Sequence, residues 1–120
     1  MFDGFRQQWI HGFLDLCLLG MLARGREYGR GLAAGLAEAG LGEIPGGTLY
    51  PALLRLEKQG FVRVTRVPST LGPVRKYYEL TPLGAEEASR RRGEWRSFRD
   101  AVERVVSEAT ADAGNEEPAR

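Results

Sequence analysis

The stretch from Trp9 to Ala23 constrains the fold most. Ile10, Phe13, Leu14, Cys17, Leu18, Met21 and Leu22 recur there at three- and four-residue steps and leave almost no polar flank. A helix wetted on so little of its surface must be central, with the other elements packed around it. Asp15 interrupts the run, which falls far short of the roughly 20 apolar residues that span a bilayer. The residues before it, with Asp3, Arg6, Gln7 and Gln8, lack the basic leader of a secretory signal. A cytoplasmic protein is expected, with Cys17, the one cysteine, as a reduced thiol in the core. The 120 residues allow one domain and exclude a multidomain enzyme.

Around this helix the pattern predicts helix, helix, hairpin and long helix. Tyr28, Leu32, Ala33, Leu36 and Ala37 mark the second helix, and the glycine-rich segment between Leu41 and Gly47 is a turn. A third helix is expected from an N-cap at Thr48, with Pro51 in its first turn and Gly60 as its stop. Leu49, Leu53 and Leu56 form its inner face, and Thr48, Ala52, Arg55 and Gln59, with Pro51 and Lys58 beside them, are expected outside. Phe61–Val67 and Val74–Leu80 read as strands joined by the loop Pro68–Pro73. Thr81-Pro82 supplies an N-cap followed by Pro at the first helical position. Along the helix that follows, Ala88, Arg91, Trp95, Phe98, Val102, Val105 and Ala109 alternate steps of three and four, a coiled-coil-like seam. The polar tail 111–120 has little to bury and is expected to lack regular structure.

Catalytic and metal chemistry find little support. Gly29-x-Gly31-x-x-Ala34 matches a dinucleotide fingerprint but follows a helix, without the strand that motif needs. His11 and Cys17 are each single, too few for a zinc site and six residues apart on one helix, so not a dyad. The adjacent acids Glu86-Glu87 and Glu116-Glu117 read as solvated side chains. No metal, cofactor or enzymatic activity is expected.

Charge is more informative. From Ile44 to Tyr78 six cations face the single anion Glu57, a net +5, whereas the chain from Glu79 onward is net −3. One basic surface beside an acidic remainder fits a polyanion partner. A helix presenting Thr48, Pro51, Ala52, Arg55 and Gln59 can enter a major groove, where small residues permit close approach and Arg and Gln read base edges. The hairpin then offers Arg63, Arg66, Arg75 and Lys76 to the DNA backbone or minor groove, as a wing does.

Two long motifs make the pattern specific. Gly47-Thr-Leu-Tyr-Pro-Ala-Leu-Leu-Arg-Leu-Glu-Lys-Gln-Gly-Phe-Val62 and Arg75-Lys-Tyr-Tyr-Glu-Leu-Thr-Pro-Leu-Gly84, with Leu16-x-Leu18-Leu19-Gly20-Met21-Leu22 and Tyr28-Gly29, resemble the PadR family of bacterial transcriptional regulators over roughly residues 10–107. The resemblance implies a winged helix-turn-helix, mainly α with a small β-hairpin, that binds a palindromic operator on double-stranded DNA. It implies a DNA-binding domain over 1–80 and a single dimerisation helix over 81–110, so a homodimer. It places Tyr28, Thr48, Tyr50 and Pro51 at the DNA face or on phosphates, with Arg75 and Lys76 at the wing base. It also implies a repressor that answers to a small aromatic or drug-like ligand.

The stripe Trp95, Phe98, Val102 and Val105 exceeds what a small domain covers, so two chains are expected to bury it, helped by Phe5, Trp9 and Phe13 of the partner. At mid-seam Trp95 either fills space with Phe98 and Trp9 or flanks, with its mate, a slot for a planar aromatic effector. A winged-helix adapter that binds protein instead of DNA remains the rival reading.

Overall fold

The structure, a computed structural model, describes the backbone of residues 2–119 and the side chains of residues 10 and 13–107. The order is helix α1 (Phe2–Leu22), strand β1 (Glu27–Tyr28), helix α2 (Gly29–Leu36), a π-helical turn (Ala37–Leu41), helix α3 (Gly46–Lys58), strands β2 (Val62–Val67) and β3 (Arg75–Leu80), and helix α4 (Pro82–Ala119). The contacts divide the chain into two compact units, residues 1–89 and 90–120.

In the first unit α1 is central, as its sequence requires. Every described side chain from Phe13 to Leu19 is buried or half-buried, and Leu14, Leu18, Leu19 and Leu22 meet Leu32 and Leu36 of α2 and Leu49, Leu53 and Leu56 of α3 in one core. Val62, Tyr78 and Ala88 close that core from the sheet and from α4. Burying each such leucine is worth about 1.5–3 kcal/mol, so this convergence fixes how the three helices meet.

The sheet is antiparallel in the order β1-β3-β2. The hairpin of β2 and β3 follows the expected spans to within a residue. The third strand was not anticipated: two residues are too short for any period to show, and β1 exists because Glu27 and Tyr28 pair with Tyr78 and Tyr77.

Two features of α3 differ from expectation. It starts at Gly46 with Pro45 at the N-cap, because the Pro45 carbonyl accepts the amides of both Thr48 and Leu49 at 2.9 Å. Thr48 is therefore inside the first turn and Pro51 lies inside the helix, leaving the Gly47 carbonyl without its usual amide. Ala52 is completely buried, not on the outer face. It lies three residues after Leu49 and four before Leu56, hence on their stripe, and its small side chain lets α3 approach the core closely.

Helix α4 begins as predicted. The Thr81 hydroxyl accepts the Gly84 amide at 3.0 Å as an N-cap and donates to the Gly60 carbonyl at 2.6 Å, tying helix start to the end of α3. The helix runs on to Ala119, through the stretch where the composition led us to expect no regular structure; alanines and glutamates there are good helix formers.

Candidate nucleic-acid interface

With Leu49, Leu53 and Leu56 turned inward, α3 leaves Tyr50 and Leu54 nearly half-exposed, at 46% and 48%, beside exposed Pro51, Arg55, Lys58 and Gln59. Thr48 is half-buried at the start of this face. The guanidinium of Arg55 is engaged: its Nη2 donates to Oδ1 of Asp15 on α1 at 2.9 Å. Both side chains are partly solvated, so the pair is worth under about 1 kcal/mol and a stronger anion can displace it. Arg55 thus links α1 to α3, with its remaining N–H donors on an exposed side chain.

The β2–β3 hairpin carries the predicted cations in register. Arg63 faces Glu79 across the ladder and pairs with it at 3.3 Å. Arg66 lies directly opposite Lys76, and Arg75 opposite Val67, all three cations exposed. Like charges directly opposite in a sheet destabilise it, so a surface that keeps Arg66 and Lys76 together is suited to an anion from outside. The connecting loop carries no cation at its tip, where Leu71 is 97% exposed.

Strand β1 brings Tyr28 to this region. Its ring meets that of its ladder partner Tyr77 edge-on at 5.7 Å. The Arg75 guanidinium lies 4.9 Å from the Tyr28 centroid, and that of Arg26 lies 4.6 Å from the Tyr77 centroid. Tyr50 lies against Gly29, the first residue of α2, where any Cβ would strike its ring. Tyr28 and Arg75 are therefore brought together from two separate segments, and Tyr50 of a third lies against the residue next to Tyr28. Tyr78, on the other sheet face, is buried. Its hydroxyl is pushed above the usual phenol range first by burial, then by Tyr50 and Glu57 of α3.

The sequence reading missed Arg26 and Leu54. Alternation along β1 would have put Arg26 on the side of Tyr28, had so short a strand been visible. Cys17 is inert packing, its thiol pushed up by burial. Among the described residues no group of three or more His, Cys, Asp or Glu could hold a metal, and no helix is long and apolar enough to cross a membrane.

In the second unit, Phe98, Val102 and Val105 of α4 are 55%, 44% and 70% exposed, with Val106 beside them. Trp95 is half-buried, and its ring lies 6.5 Å from that of Phe98 at 41°. Phe13 is half-buried in the first unit. The side chains of Phe5 and Trp9 lie outside the described residues.

Residues 18–90, more than half of the chain, match the profile of the transcriptional regulator PadR-like family. Solved structures agree. A Streptococcus transcriptional regulator is 37% identical with a TM-score of 0.72, covering 82% of this chain and 97% of its own. A PadR-like transcriptional regulator from Bacillus cereus is 31% identical with a TM-score of 0.74, over 82% of this chain and 96% of its own. A PadR family regulator from Eggerthella lenta is 29% identical with a TM-score of 0.74, over 86% and 89%. No curated protein sequence matches significantly.

Proposed function

Because the chain belongs to the PadR-like family of transcriptional regulators, we propose that it acts in the cytoplasm as a homodimeric repressor of its own or a neighbouring gene. It is a DNA-binding regulator and not an enzyme. In our reading α3 enters the major groove through Thr48, Tyr50, Pro51, Arg55 and Gln59, while Arg63, Arg66, Arg75 and Lys76 of the hairpin, with Tyr28, take the flanking backbone. The observation that carries this is the Arg66–Lys76 pair, two cations held opposite each other on an exposed hairpin beside a solvent-facing helix.

The dimer rests on α4. Phe98, Val102 and Val105 expose apolar surface at seam spacing, and a second copy burying the same stripe satisfies it under two-fold symmetry. Phe5, Trp9 and Phe13 would add to that seam. Two-fold symmetry in the protein then calls for a palindromic operator. Trp95 and Phe98, whose rings lie 6.5 Å apart at 41°, supply the faces on which a planar aromatic effector would stack.

The test is retention of a palindromic duplex from upstream of its own gene at increasing salt. A regulator binds it more tightly than a scrambled duplex, with affinity falling steeply as salt rises. Equal or salt-independent retention of the two would leave a protein-binding adapter instead.

A further inference from the structure

We infer that Arg26 and Arg75, crossed over Tyr77 and Tyr28, form a phosphate clamp on the outer face of the sheet that extends the DNA interface beyond α3 and the hairpin. This rests on the DNA-binding reading above and adds Arg26, which neither the helix pattern nor the hairpin marks.

Tyr78 is in the core, so by alternation Tyr77 and its ladder partner Tyr28 stand on the opposite face. The two arginines are exchanged between strands. Arg26, just before β1, lies 4.6 Å over the ring of Tyr77 on β3, and Arg75 of β3 lies 4.9 Å over the ring of Tyr28 on β1. The two rings, edge-on at 5.7 Å, lock this arrangement.

Stacking uses the flat face of a guanidinium and leaves its in-plane N–H donors directed outward, the fork that matches a phosphodiester. It also orders two long side chains before any ligand arrives, so less freedom is lost on binding. Neither guanidinium has an acidic partner among the described residues, whereas Arg63 on the same face is matched by Glu79. Tyr28 is the residue that precedes α2, and the next residue, Gly29, is the one against which Tyr50 of α3 lies, so the array begins one residue along the chain from that contact.

The experiment compares the salt dependence of binding for wild type, Arg26→Ala, Arg26→Lys and Tyr77→Leu on the palindromic upstream duplex and a scrambled duplex of equal length. Arg26→Ala should weaken both by the same factor, about three- to tenfold near 0.1 M salt, and flatten the logarithmic salt slope by about 1. Arg26→Lys should restore the slope but not the full affinity, since an ammonium lacks the fork. Tyr77→Leu should lose affinity although every cation remains; thermal midpoints confirm that the variants are folded. An Arg26→Ala protein that binds with the wild-type slope overturns the clamp while leaving DNA binding intact. A wild type that retains neither duplex overturns both readings.

Discussion

Gly84 is where the first turn of α4 crosses the start of β2, so closely that a Cβ there would overlap the carbonyl of Phe61. The crossing cannot relax, because the same carbonyl accepts the Thr81 amide at 3.0 Å and the Thr81 hydroxyl caps the helix. Gly84→Ala should therefore cost about 3 kcal/mol despite alanine's better helix propensity, read as a lower denaturation midpoint. Tyr78 gives a pH signature. Its phenol is raised above 10.0 in the fold by burial, then by Tyr50 and Glu57, so the folded state favours the protonated form. That contribution is complete below pH 10.0 and is lost as pH climbs through the higher folded value. Wild type should lose stability above pH 10.0 more steeply than Tyr78→Phe, as thermal midpoints across the alkaline range will show. Neither residue announces its role in the sequence, since both roles depend on neighbours more than twenty positions away along the chain.

In the proposed interface helix α3 and the hairpin divide the work on DNA. Thr48→Ala and Arg55→Ala should weaken binding to the operator more than to scrambled DNA, because these side chains belong to the α3 face. Lys76→Ala should weaken binding to all duplexes alike and flatten the salt slope by about 1. It should also raise the thermal midpoint, since Arg66 loses a like charge directly opposite. A stability gain together with an affinity loss separates a functional cation from a structural one, and calorimetry with fluorescence anisotropy would measure both. The span of α3 and its leucine stripe were legible from periodicity; the burial of Ala52 and the start at Gly46 were not. Pro45 takes the cap three residues before Thr48, because its carbonyl is placed to accept two amides.

The proposed dimer rests on α4, where Val102 and its neighbours expose apolar surface. Val102→Asp should convert a dimer at micromolar concentration into a monomer by light scattering, because a buried carboxylate facing its own copy is unpaired. A planar dye should quench tryptophan fluorescence and lower operator affinity, and Trp95→Ala should abolish both effects while the protein stays dimeric. Periodicity along the chain was enough for the central α1, the leucine face of α3, the two hairpin strands and the Thr81-Pro82 start of α4, since each is a local pattern of side chains facing one core. The motifs Gly47–Val62 and Arg75–Gly84 were enough for the family. Strand β1, the Arg26–Tyr77 and Arg75–Tyr28 stacks, the Asp15–Arg55 pair and the Gly84 crossing came only with the folded chain. They join residues tens of positions apart, and such pairings leave no local period: packing alone decides which distant side chains meet.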